Sequence, residues 1–413
     1  MSQRVVVTGM GTVNPIGFNV KESWDNAVHG VSGVGPITLF DSAELLVQIA
    51  CEVKGFDAAQ HMDAREARRR DRFEQLAVVA TQQALHHSGL ELTEKNANRV
   101  AVIVSSAVGG LKSVQEAVIT MIQDGPRRIS PFMIPMFMSN GAAGMIAIDI
   151  GARGPCFSVA SACASGADGI GQAWHLIRAG AVDAAVTGAS EATVTRVGIA
   201  TFDRLGALSR RNDEPWRTPA PFAAGRDGLV MGEGAAILIL ESYEHAKARG
   251  AEIYAELVGY ASTSDAFHIT APAEDGAGGA AAISRALESA KIAPEDVDYI
   301  SAHGTGTELN DISETKAIKA ALGEHAYDVP ISSTKSMTGH MMGATGALEA
   351  IFCVEAIRHD VVPPTIHFEE PDPSCDLDYV PNSARELPVE VALSNAFGFG
   401  GHNAVLVFRA FKD

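Results

Sequence analysis

Positive charge is scarce in this chain. Its 413 residues carry 32 Lys and Arg against 50 Asp and Glu, a formal net charge of −18. So acidic a surface argues against a nucleic-acid binder. Cysteine is also sparse, with five residues and no C-x-x-C pair, which argues against zinc and dithiol redox chemistry. An odd count without a disulfide-like framework suits a reducing cytoplasm. Long apolar runs are missing too. The stretches near Met133–Met138 and Met145–Ile150 are broken by Asn140 and Asp149, too short for a membrane helix. The chain opens directly in a strand-like run with no signal-peptide pattern, so a cytoplasmic location is expected.

What is present is apolar and glycine-rich. At 46% hydrophobic residues the chain can bury a large core and could hold two domains, and its 40 glycines are spread over junctions rather than gathered in a tract. Strand-like runs such as Ala101-Val-Ile-Val104 and Ala235-Ala-Ile-Leu-Ile-Leu240 alternate with Ala-rich helical stretches, which indicates an α/β protein. Glu241 to Tyr260, a helix-like stretch followed by a strand, is a sensible border between halves.

One cysteine has chemical context. Cys163 lies in Ser158-Val-Ala-Ser-Ala-Cys163-Ala-Ser-Gly166, ahead of the amphipathic run Ile170-Gly-Gln-Ala-Trp-His-Leu-Ile-Arg178. The pattern predicts a strand turning sharply into a helix. A thiol there feels the positive end of the helix dipole and nearby unpaired N–H groups, both of which favour thiolate. The same N–H groups could hold an oxyanion. Cys51, Cys156, Cys353 and Cys375 are read as structural, because free cysteines are among the most buried residue types.

Two histidines can partner it. His303 ends a strand-like run in Val297-Asp-Tyr-Ile-Ser-Ala-His303-Gly-Thr-Gly-Thr307. His340 lies in Ser332-Ser-Thr-Lys335-Ser-Met-Thr-Gly-His340, ahead of the helical pattern Ala347 to Ile357. A position near a helix N-terminus disfavours imidazolium and keeps the ring neutral. Cysteine hydrolases need one histidine as base and an Asn or Asp to orient it. Two neutral donors suit another task, stabilising the negative charge that develops on a thioester oxygen as an enolate forms. The residues thus suggest carbon–carbon bond formation on thioesters, with Cys163 carrying one acyl group.

The Cys elbow, His303-Gly-Thr-Gly-Thr307, Lys335-Ser-Met-Thr-Gly-His340 and Gly398-Phe-Gly-Gly401, in that order, resemble the β-ketoacyl-acyl carrier protein synthases. The likeness is greatest to the type II elongating synthases of bacterial fatty acid synthesis. It runs from Val5-Val-Val-Thr-Gly-Met-Gly11 to Asn403, essentially the whole length. It implies a thiolase-like α/β fold with two similar halves in five αβαβα layers, although residue matching along the chain does not reveal the duplication. Residues 1–250 would carry the nucleophile, and residues 251–413 the two histidines, the lysine and the gate.

The resemblance also implies roles. Cys163 is the acylated nucleophile, His303 and His340 promote decarboxylation of malonyl thioester, and Lys335 tunes the electrostatics with Glu349 as its ionic partner. Phe399 is the gating residue beside Phe397, and Asp265 and His268 lie in the loop that moves with it. Thr305, Thr307 and Thr270 would bond the pantetheine arm. Val108, Met133, Ile134, Gly198 and Phe202 are candidate walls of the acyl pocket. Arg65, Arg68, Arg69, Arg127 and Arg128 would dock acyl carrier protein, which is itself strongly acidic. The other reading of those arginines is a solvated helix face with internal Arg–Glu pairs. The implied reaction is decarboxylative Claisen condensation in fatty acid elongation by a homodimer, with no metal or organic cofactor beyond the substrates' phosphopantetheine.

Three positions depart from the family pattern: Ala223, Glu308 and Thr345. They leave open a ketosynthase of a type II polyketide or specialised lipid pathway. A non-catalytic chain-length partner would usually lack the nucleophile. A thiolase would need a second reactive cysteine, for which neither Cys353 nor Cys375 has suitable surroundings.

Overall fold

β-Branched and small apolar residues alternate poorly with polar ones in Val5–Val13, Ala184–Ala192 and Glu233–Ser242, and every residue of these three strands is buried. Strands buried on both faces call for helices on each side. The computed structural model describes residues 3–412 and has that layering.

Ten strands form the main sheet. In chain order they are β1 (Val5–Val13), β2 (Val100–Ser105), β3 (Cys156–Phe157), β4 (Ala184–Ala192), β5 (Glu233–Ser242), β6 (Ala255–Ser264), β7 (Tyr299–Ser301), β8 (Ile331–Ser332), β9 (Val391–Gly398) and β10 (His402–Arg409). Their spatial order is β8-β7-β9-β10-β6-β1-β5-β4-β2-β3. Read outward from the centre, each half places its first, fifth, fourth, second and third strand in turn. The pairings also match, two antiparallel then two parallel on both sides. The duplication that residue matching missed is therefore written in topology. The halves meet where Val6 and Val7 of β1 pair with Glu256 and Ala255 of β6.

Six helices complete the layers: α1 (Arg72–Ser88), α2 (Gly141–Ile150), α3 (Ser165–Arg178), α4 (Ala277–Ala290), α5 (Glu308–Leu322) and α6 (Thr345–His359). Helices α1 and α2 cover the outer face of the first half-sheet, and α4, with α5 packed on it, covers that of the second. Helices α3 and α6 pack on each other and touch strands of both halves, so they form the middle layer. Every residue of α6 from Thr345 to Ile357 is buried, as a helix enclosed on all sides requires. Gly9 and Gly259 occupy the fifth position of β1 and β6. A Cβ on either would lie 2.5 Å from a helix carbonyl, of Ala84 or Ala286, so glycine is what lets strand and outer helix close up.

The expected strand before Cys163 is shorter than its apolar run. Pairing stops at Phe157, and beyond it the backbone bonds side chains instead: Val159 N–H donates to Ser105 Oγ (3.3 Å) and Ser161 N–H to Ser165 Oγ (2.9 Å). The helix, in turn, begins at Ser165 rather than Ile170, because tertiary contacts override the poor propensity of its glycines. The Met-rich stretch folds into a short helix, Met133–Phe137, against the surface. Cys156 is exposed, contrary to its structural reading, because β3 is an edge strand; Cys51, Cys353 and Cys375 are buried. Among the described residues no helix is long and apolar enough to cross a membrane.

Candidate active site

The middle helices begin in matched turns. Ala162 has φ +50° and Met342 has φ +46°, each a non-glycine residue in the left-handed region. Each is followed by a short 3₁₀ turn, Ala162–Ala164 or Met342–Ala344, and then by a helix starting at Ser165 or Thr345. Such strain persists only where surrounding structure fixes it. Here it presents Cys163 at the base of the first helix. The residue matching Cys163 in the second turn is Gly343.

Cys163 is buried, and burial pushes its thiol up to about 11. The charge of Lys335 and the backbone N–H groups of Phe399 and Cys163 pull the other way without prevailing, while Glu191 adds to the rise. The resting nucleophile is thus a thiol, which corrects the expectation that the helix end holds it as thiolate. Desolvation of a charged sulfur is the largest cause. The two N–H groups facing the sulfur are also the donors an oxyanion there would meet. Gly398 makes this approach possible, since a Cβ on it would stand 3.0 Å from Cys163 N and Ser161 O.

His303 follows β7, and its turn is fixed from α5. The N–H groups of His303 and Gly304 donate to the two carboxylate oxygens of buried Glu314 at 2.7 Å each, and Asn395 Nδ2 donates at 3.2 Å. His340 is held by its own N–H to Val230 O (2.7 Å), and its Nδ1 lies 3.1 Å from Thr345 Oγ1. With that hydroxyl donating, the ring proton sits on Nε2. The two imidazoles meet edge to face with centroids 5.4 Å apart. Burial and the nearby Lys335 charge hold both well below the ordinary histidine range, so both are neutral. Lys335 Nζ bonds Glu349 Oε1 at 2.6 Å with both side chains buried, and burial lifts the Glu349 carboxyl to about 7.

A cavity of about 350 Å³ opens on this group. Cys163, His303, His340, Phe397, Phe399, Asp265, Phe202, Thr270, Thr305 and Thr307 line it. The Thr305 and Thr307 hydroxyls bond each other at 2.8 Å. Phe399 stacks on Phe202 with centroids 6.4 Å apart. The loop after β6 is laced to the turn after β9 by Gly400 N to Ile269 O (2.7 Å), Asp265 N to Gly401 O (2.9 Å) and Asn403 Nδ2 to Asp265 Oδ1 (2.7 Å). His268, in the same loop, is exposed and caps the N–H groups of Thr270 and Ala271 rather than facing the cavity.

Four proposed pocket walls lie elsewhere. Val108 (38% exposed) and Ile134 (64% exposed) stand on an open apolar face, Met133 is half-buried beside them, and Gly198 is buried outside the cavity lining. The basic run also divides. Arg70 and Arg72 are drawn inward to Asp149 and Glu233, and Arg69 bonds Glu66 and lies over Phe132. Arg65, Arg68, Arg127 and Arg128 are exposed and, among the described residues, form no ion pair. Sequence reasoning missed Glu314, Asn395 and Glu191, whose spacing carries no signal because they act only through contacts made in the fold. It noted Thr345 only as a departure. Of the other departures, Ala223 is buried beside Phe222, and Glu308 is an exposed acid in the first turn of α5, where the dipole favours it.

Comparison with known proteins agrees along the chain. Residues 2–246 match the family described as beta-ketoacyl synthase, N-terminal domain, and residues 254–369 match its C-terminal domain. A 3-oxoacyl-[acyl-carrier-protein] synthase 2 of Synechocystis sp. is 50% identical over 410 residues, covering 99% of both chains. One from Staphylococcus aureus (strain COL) is 49% identical, covering 100% of this chain and 99% of that protein. Among solved structures, a complex of a type II polyketide acyl-carrier protein with its ketosynthase, AntDE:AntF, superposes with a TM-score of 0.92 at 38% identity over 100% of both chains. A beta-ketoacyl synthase from Burkholderia phymatum STM815 gives 0.92 at 37%, covering 99% of this chain and 100% of that one. The chain belongs to the β-ketoacyl synthase family of acyl-transferring condensing enzymes.

Proposed function

We propose that this enzyme condenses an acyl group, held as a thioester on Cys163, with malonyl-acyl carrier protein to give β-ketoacyl-acyl carrier protein in fatty acid chain elongation. The observation that carries the reading is the convergence of Cys163, His303 and His340 on one cavity, with buried Lys335 behind them. In the first half-reaction the Cys163 thiol gives up its proton as its sulfur attacks the incoming thioester carbonyl. The N–H groups of Cys163 and Phe399 hold the oxyanion, and the carrier's pantetheine thiol leaves protonated. Malonyl carrier then enters. Its carboxylate departs as carbon dioxide while the two neutral imidazoles donate hydrogen bonds to the thioester oxygen that takes up the negative charge. The enolate carbon attacks the acyl-cysteine carbonyl, the new carbon–carbon bond forms, and the Cys163 sulfur is released to regain a proton. Lys335 is never the attacking group, since its Nζ is engaged by Glu349.

The full-length relatives at 49–50% identity are named 3-oxoacyl-[acyl-carrier-protein] synthase 2, whereas the type II polyketide ketosynthase matches at 38%, which favours elongation over polyketide assembly. Acyl carrier protein is the partner, with Arg65, Arg68, Arg127 and Arg128 as its docking cations. The pantetheine arm would run past Thr270, Thr305 and Thr307, and the reading asks for no metal or organic cofactor. A homodimer is supported by the open apolar face around Ile122, Ile134, Phe137 and Ile148, bordered by the unpaired edge of β3. In that dimer Val108, Met133 and Ile134 would be covered and would close the far end of the acyl site. A cytoplasmic setting suits five free cysteines.

The test is condensation by purified protein with acyl carriers of graded length plus malonyl carrier, run beside Cys163→Ala. β-Ketoacyl product from the wild type alone supports the reading. No acylation of Cys163 by any carrier overturns it.

A further inference from the structure

One buried carboxylate has no part in that chemistry. Glu191 stands near the end of β4, fully buried, and among the described residues no basic side chain bonds it. It accepts instead from Ser106 Oγ (2.7 Å), Ala107 N (2.8 Å), Val108 N (3.2 Å) and Gly343 N (3.1 Å). Three of these donors belong to the loop that ends β2 and carries Val108. The fourth is the residue that matches Cys163 in the second elbow. The duplicated fold therefore contains two turns able to bind an anion. In the first, the N–H of Cys163 faces its own sulfur and the reacting oxygen. In the second, the N–H of Gly343 is already satisfied by a side chain.

We infer that Glu191 is a positioning residue for Cys163 and Val108, an internal carboxylate that fills the anion-accepting turn of the second elbow and holds the wall loop against it. Four donors converging on two oxygens suit a carboxylate. An amide would turn an NH₂ group toward one of them. The charge also bears on the nucleophile. Burial lifts the Glu191 carboxyl to about 7 and the Cys163 thiol to about 11, so Glu191 is already an anion where Cys163 ionises, and it opposes thiolate. The other groups around the thiol are Lys335, which favours thiolate and is paired with Glu349, and the neutral His303 and His340, with Glu314 behind His303. Removing the Glu191 charge takes away an anion that opposes thiolate at Cys163.

The experiment follows iodoacetamide alkylation of Cys163 against pH, read by mass spectrometry of the Cys163 peptide, in wild type, Glu191→Gln and Glu191→Asp. The Gln variant is expected to lower the alkylation midpoint by about one pH unit. The Asp variant keeps the charge and the wild-type midpoint but withdraws from Ala107 and Val108, so its acyl-length profile in condensation shifts. A Gln midpoint equal to wild type overturns the electrostatic role, and an unchanged length profile in Asp overturns the wall role. If the Gln variant does not fold, the Asp profile decides. The inference rests on the condensing reading only for that profile. Alkylation needs no condensation, so a protein that alkylates as expected yet fails to condense would sink the proposed function alone.

Discussion

The hydroxyl of Thr345 lies 3.1 Å from Nδ1 of His340, and both residues are buried. Where that hydroxyl donates to Nδ1, the ring proton sits on Nε2, and Nε2 is then the nitrogen that can donate to substrate. Thr345→Val keeps the branched shape and removes the donor. Decarboxylation of malonyl carrier should then slow on the order of tenfold, while Thr345→Ser stays near wild type. Decarboxylation by Thr345→Val at the wild-type rate would show that another contact fixes the tautomer.

Lys335 and Glu349 form a pair with no exposure to solvent, so the loss of one partner strands the other. Lys335→Met should destabilise the fold by about 3–5 kcal/mol at pH 8. The sign with pH follows from Glu349, whose folded carboxyl is raised to about 7. A raised acid binds more protons folded than unfolded, so stability falls as pH rises from the unfolded value toward the folded one. Without Lys335 that rise is greater, and the variant's deficit should shrink at pH 5. Melting temperatures at the two pH values check this, and a deficit independent of pH would contradict it.

Arg127 and Arg128 are exposed, with no ion pair among the described residues to compete for them. Arg127→Glu/Arg128→Glu should raise KM for acyl carrier protein on the order of tenfold at low ionic strength and leave kcat nearly unchanged. The difference should shrink as salt is added. Steady-state kinetics at two salt concentrations read this directly. Equal KM values for variant and wild type would remove these arginines from the docking site.

Ile134 is 64% exposed in the single chain, amid other apolar side chains. Ile134→Asp places a charge in that face and should convert a dimer to monomers in sedimentation, with little change in far-ultraviolet circular dichroism. A variant that stays dimeric would place the subunit contact elsewhere.

Much of the site was legible because its chemistry sits in local strings. Cys163 lies among small residues before a helix, and His303 and His340 lie beside Gly/Thr turns, so each could be singled out without knowing what lay opposite. The pairing of Lys335 with Glu349 came from the family resemblance. The thiol's protonation was not legible, because the helix end is a local feature and burial is not. The walls at Val108 and Ile134 fell outside the single-chain cavity for a related reason, since what lines a cavity is set by the fold and not by the local string. Arg70 and Arg72 read like their neighbours in sequence and were drawn inward by Asp149 and Glu233, acids distant in the chain.

The sequence by itself determined the alternation of strands and helices, the nucleophile, the two histidines and the order of the motifs, because each depends on residues within one turn or one strand of each other. Tertiary structure alone decided the doubled strand order, the kinship of the Cys163 and Gly343 turns, and the anchoring carboxylates Glu191 and Glu314. Those features come from burial and from contacts between residues far apart in the chain. Hydrogen bonds of that kind leave no periodicity to read, and desolvation has no meaning until the chain has closed around the group.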